Sequence, residues 1–196
     1  MQDPKSTYFR YRVFYSKSAA ARFVGHLDLQ GLFSKALKRA TLPVAYSQGF
    51  NPHQLLSIAM PLSMGLSGRR ELFEVFLTNE LDVENIAQRL AAQMPAGLEI
   101  LEAQLASNSG KAAAGLLYGA KYIITFPAEV SATKPAEIAE DIFEISQIDA
   151  NSLEVTLAAG SKKNLKPQKF AQLLIAQLGL DFDEKLIKYE RTELLL

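Results

Sequence analysis

YFRYRVFYSKSAAARFVGHLDLQGLFSKALKRA (8–40) holds two periods, and the change between them decides the fold. YFRYRVFYSK (8–17) is dense in aromatic and β-branched residues with basic residues interleaved, the composition of a strand. From Leu29 the period becomes 3.6: Leu29, Leu32, Phe33, Ala36, Leu37 and Ala40 make one apolar stripe of an amphipathic helix. Asp28 suits its N-cap, because a short carboxylate accepts from free backbone amides. Pro43 ends the helix, and VAYS (44–47) reads as a short strand.

Working outward, QLLSIAMPL (54–62) reads as a strand and RELFEVFLT (70–78) alternates as another. DVENIAQRLAAQM (82–94) predicts a helix, and LEILEAQLA (98–106) a strand. The order is β-α-β-β-α-β, which implies an α+β, ferredoxin-like unit: an antiparallel sheet with its helices on one face. After the small, polar SNSGKAAAG (107–115), the order strand, helix, strand, helix, strand follows. Its segments are YIITFPA, KPAEIAEDIFEIS, SLEVTLAAG, KPQKFAQLLIAQLG and KLIKYERTELLL. We detect no sequence repeat between the halves. The expected division is a domain over 1–106, a linker over 107–117 and an α+β subdomain over 118–196.

Composition narrows the class. The 196 residues are 48% hydrophobic and 21% charged, as in ordinary folded proteins. No apolar run approaches the roughly 20 residues of a membrane span, and MQDPKSTYFRYR is charged where a signal peptide is apolar. The expectation is a cytoplasmic protein. With no cysteine, the chain has no disulfide, no thiol nucleophile and no cysteine-held zinc or iron–sulfur cluster. Net charge is zero but uneven: residues 1–60 carry eight Lys and Arg against Asp3 and Asp28, whereas 61–160 carry fourteen acids against six bases. That asymmetry suggests a basic binding face.

Lys35, Lys38 and Arg39 lie at i, i+3 and i+4, opposite the apolar stripe. With Arg10, Arg12 and Lys17 they offer partners to a phosphate backbone, and Tyr8, Phe9, Tyr11, Phe14 and Tyr15 offer rings to unpaired bases. SKKNLKP (161–167), just before a helix, suggests an anion site built on Lys162, Lys163 and Lys166. His26, Asp28 and His53 match the two-histidine, one-carboxylate set of non-haem iron sites. If instead Asp28 caps the helix, its oxygens are occupied, and our expectation is a pocket shared by these residues without a metal.

AYSQGFNPH (45–53) is turn grammar with additions. Gly49 permits positive φ, and Pro52 biases Asn51 toward extended geometry. Tyr46, Ser47, Gln48, Phe50, Asn51 and His53 exceed what a turn requires, so the stretch reads as a rigid lip beside His26 that presents polar groups and a ring to a ligand.

GHLDL (25–29), KALKRA (35–40), LPVAYSQGFNPH (42–53), the Ser57–Pro61–Leu62 spacing, and Gly65 with Ser67 and Glu71 resemble the radical SAM-linked protein family, a domain of unknown function. Members are fused to or encoded beside radical SAM proteins that often carry a cobalamin-binding domain. The family often has a basic residue where Gly31 stands, and a small or basic one where Gln54 stands. The resemblance implies a radical SAM partner that supplies the iron–sulfur cluster, SAM and cobalamin, with no cofactor in this chain. Gene neighbourhoods of the family imply an RNA substrate. The expected role is a non-catalytic accessory module that holds substrate. The alternatives are an enzyme using His26 and His53, or a protein docking domain.

Overall fold

β1 (Phe9–Lys17) and α1 (His26–Arg39) form where the two periods place them. In the computed structural model, which describes residues 8–108, 110–160 and 163–196, alternate residues Tyr11, Val13 and Tyr15 of β1 are buried against Leu29, Phe33, Ala36 and Leu37 of α1. The helix starts three residues earlier than expected. Its N-cap is Gly25, with no side-chain cap, and Asp28 sits in the first turn. The capping role expected of Asp28 is therefore incorrect; its carboxylate acts on the helix only through the dipole.

VAYS forms only isolated bridges, Val44 to Leu77 and Tyr46 to Gln54. β2 is confined to Leu56–Ile58, because the chain soon reaches Pro61, which has no amide to give a ladder. β3 (Ser67–Leu77), α2 (Val83–Ala91) and β4 (Leu98–Ala106) follow. Asp82 caps α2 by accepting the Asn85 amide at 2.9 Å. α3 (Ala113–Leu116) is a single turn within the expected linker, and β5 covers Gly119–Thr125.

The helix expected over 134–146 does not form. A 3-10 turn (Ala136–Asp141) with no buried residue leads into β6 (Ile142–Asp149), which hairpins onto β7 (Ser152–Ala158). AEIAED has no apolar stripe to bury, whereas IFEISQI is β-branched and aromatic enough to extend a sheet. α4 (Pro167–Leu178) starts on a proline and ends on Gly179 at φ +65°, before β8 (Lys188–Leu195).

The fold is α+β, with one largely antiparallel eight-stranded sheet in the order β4-β1-β3-β8-β5-β7-β6 and β2 also on β3. The order β4-β1-β3-β2 of the first half recurs as β8-β5-β7-β6 in the second. All pairings are antiparallel except β3–β8, which is parallel through Ser67–Glu190 and Gly68–Arg191. Two hydrophobic cores result. α1 and α2 fill the first with β1 and β3; α4 fills the second with β5 and β7. The connector before β3 crosses over, since Met60, Leu62 and Leu66 pack into the second core.

Where the halves meet, the sheet buries charge. Glu71 (0% exposed) takes two hydrogen bonds from Arg191 (1%), whose guanidinium also donates to the Met60 carbonyl. Lys17 (1%) donates to the carbonyls of Val24 at 2.9 Å and Arg22 at 3.3 Å. Burial holds the Lys17 ammonium below the usual lysine range.

The Tyr15 hydroxyl is buried beside this cluster and has no hydrogen-bond partner among the described residues. Burial, then the Glu71 charge, pushes that phenol well above the usual tyrosine range. Tyr189 is pushed up to about 12 by burial and Glu184. Both phenols thus ionise more readily in the unfolded chain, so their contribution is intact below the unfolded value and fades as pH rises through the folded one. Tyr15→Phe removes an unpaired buried hydroxyl. It is expected to stabilise the protein by about 1 kcal/mol at neutral pH and to flatten the alkaline fall, measured by urea melts across that pH range.

Candidate binding site

The stretch 45–55 is a clasped hairpin. The Ala45 amide donates to the Phe76 carbonyl at 2.8 Å, and the Leu55 amide to the Ala45 carbonyl at 2.8 Å, which fixes its base to the Leu77 end of β3. Higher up, the Ser47 amide donates to the His53 carbonyl at 2.8 Å. Ser47 Oγ accepts the His53 amide at 3.1 Å and lies 2.9 Å from His53 Nδ1. The Ser47 hydroxyl thus clasps both the backbone and the ring of His53. Gly49, at φ +120°, turns the tip. Phe50 stands fully in solvent at 112% exposure. Tyr46, Gln48, Asn51 and His53 are exposed and Ser47 half-buried, while Gln54 is buried with neither amide end bonded among the described residues.

His26 does not share this edge. It is the first residue of α1, reached from the Lys17 end of β1, and the hairpin follows the other end of the helix. The fourteen residues of α1 set its two ends about 20 Å apart along its axis. The pocket expected from His26, Asp28 and His53 needed the hairpin to fold back across the sheet; its base is anchored at the far end instead. Among the described residues no group of three His, Cys, Asp or Glu side chains is placed to hold a metal. His26, Asp28 and His53 do not form such a group.

The first strand's bases are not a free face. Arg10 is 4% exposed and donates to the carbonyls of Ser107, Gly110 and Lys111. Arg12 bonds Glu74 at 3.2 Å, and Lys17 is internal. Of its rings, Tyr11 and Tyr15 are core, Phe9 is half-buried against the first core, Tyr8 is half-buried, and Arg70 lies 4.2 Å over Phe14. Period 2 carried the signal for Lys17, which has the parity of Tyr11, Val13 and Tyr15.

α1 keeps its basic flank. Lys35, Lys38 and Arg39 are exposed, though Arg39 also binds the Gln93 side chain and, at 2.9 Å, its carbonyl. Between α1 and the 92–95 turn runs an open cleft of about 640 Å³, lined by Asp28, Lys35 and Arg39 and by the apolar Leu27, Leu32 and Met94. Gly31 lines it too, and a Cβ there would meet nothing within 4 Å.

In the anion site expected at 161–167, Ser161 and Lys162 lie outside the described residues. Lys163 is held by Asp141 at 2.9 Å with Glu140 nearby, which raises its ammonium, and so faces acids rather than a ligand. Among the described residues, no helix is long and apolar enough to cross a membrane.

These features define an α+β protein with a two-core sheet, a clasped hairpin and one basic helix flank. The chain belongs to the family described as "uncharacterized protein conserved in bacteria (DUF2344)", whose profile matches residues 10–181. No curated protein matches it. That description has no link to radical SAM proteins; the link rests on the resemblance in the first 75 residues.

Proposed function

We propose that the chain is a non-catalytic accessory module that binds RNA substrate for a radical SAM partner in RNA modification. The observation that carries the RNA half is the α1 cleft, where exposed Lys35 and Arg39 line the same opening as the apolar Leu27, Leu32 and Met94, with Lys38 exposed on the same helix. Phosphates suit the cations, and an unstacked base suits the apolar lining. The partner half rests on the resemblance. A radical SAM enzyme would bring the cluster, SAM and cobalamin, for which this cysteine-free chain offers no thiolates. We read the two halves, 1–106 and 118–196, as ferredoxin-like units joined by 107–117, a reading supported by the recurring strand order.

Fluorescence anisotropy with labelled single-stranded RNA across a salt series tests the RNA half. Lys35→Gln with Lys38→Gln is expected to weaken binding and to lower the log–log salt slope by about 1.4, two phosphate contacts at about 0.7 each. Arg39 is left in place because it also ties α1 to Gln93. An unchanged slope removes α1 from the interface. Phe50 favours a second reading, as a docking tip for protein: Phe50→Ala that abolishes partner capture while RNA binding persists selects it.

A further inference from the structure

A second cleft, of about 800 Å³, lies along the seam between the halves, away from α1. Its volume falls in the range of small-molecule sites. Three elements meet there: the 19–23 turn after β1, the 64–67 turn before β3, and the 184–190 segment leading into β8. Phe23, Met64 and Leu186, which line it, are 68%, 69% and 59% exposed, an apolar rim that none of the described residues covers.

The charge in this cleft is unbalanced in one direction. Its carboxylates already have donors: Glu190 is bonded by Arg69 at 2.9 Å and Glu184 by Gln172 at 2.9 Å. Its lysines do not have acceptors. The side chains of Lys185 and Lys188 make no hydrogen bond or ion pair among the described residues. Arg22 holds its guanidinium 4.8 Å over the Phe23 ring, which presents a stacked cation and ring at the mouth.

We propose that the seam cleft binds a nucleoside monophosphate. The dianionic phosphate is matched by Lys185, Lys188 and Arg22, and the base by Phe23 and the apolar rim. The inference does not depend on RNA binding at α1, since the two clefts share no lining residue.

Isothermal titration of the full chain with AMP, CMP, GMP and UMP tests it, with adenosine and inorganic phosphate as controls. At least one nucleotide should bind saturably, and at least about tenfold more tightly than either control. Lys185→Glu with Lys188→Glu, and separately Phe23→Ala, should each weaken that binding about tenfold or more. These side chains are exposed, so melting temperatures should not move. The Lys35→Gln, Lys38→Gln variant should bind nucleotide like the parent, which separates this site from the α1 cleft. No saturable binding in the millimolar range overturns the proposal. So does inorganic phosphate binding equally well, or affinity untouched by the lysine and Phe23 changes.

Discussion

Arg191→Met is expected to cost about 3–5 kcal/mol, because it strands a buried carboxylate. Glu71 is 0% exposed, and Arg191 satisfies both its oxygens, one through Nε at 2.9 Å and the other through Nη2. Burial alone would disfavour the guanidinium charge, but the Glu71 carboxylate and its hydrogen bonds outweigh that, and Arg191 stays above its ordinary value. Among the described residues, direct strand pairing between the halves is limited to Ser67–Glu190 and Gly68–Arg191, so the pair sits at the joint. Breaking one partner differs from replacing both. Glu71→Leu with Arg191→Met removes both charges and fills similar volume, and should recover most of the loss. Urea midpoints at matched m-values measure this. A double variant as unstable as Arg191→Met alone would show that the damage comes from packing rather than from the stranded charge.

That pair also explains why the seam was illegible in the sequence. Glu71 and Arg191 are 120 residues apart, and no local period couples them. What was legible was local: the alternation of β1, the 3.6-residue stripe of α1 and the proline-led α4 are each set by which residues can be buried on one face. KPAEIAEDIFEIS misled because its acidic half has helical propensity while its Ile-rich half pairs with β7, and tertiary pairing overrode propensity.

The candidate site divides in the same way. The 45–53 turn was readable from Gly49 and Pro52, whereas the Ser47–His53 clasp and the anchoring at Phe76 needed coordinates. Several motif residues that suggested a site turn out to build the joint. Leu62 enters the second core, the Gly65 amide donates to the Arg22 carbonyl at 2.9 Å with φ at +89°, and Glu71 holds Arg191. Such residues look functional in sequence because they are unusual, and here the unusual requirement is geometric.

Gly68 shows that requirement most sharply, and Gly68→Ala is expected to destabilise nearly as much as losing Arg191. A Cβ built on Gly68 falls 2.3 Å from Glu71 Oε1 and 2.8 Å from its Cδ and Cγ. A side chain at the surface would swing away at little cost. Glu71 has nowhere to swing, since it is fully buried and both its oxygens are committed to Arg191. Adding one methyl group therefore displaces the carboxylate from the guanidinium, and the loss approaches the roughly 3–5 kcal/mol of a broken buried pair. The backbone of Gly68 itself is pinned by its pairing with Lys17 on one side and Arg191 on the other. A cycle isolates the mechanism. In a Glu71→Ala, Arg191→Met background the obstructing side chain is gone, and Gly68→Ala should then cost less than about 1 kcal/mol, a non-additivity expected only of groups in contact. Equal costs in both backgrounds would mean that Gly68 is needed for its backbone freedom and not to leave room for Glu71.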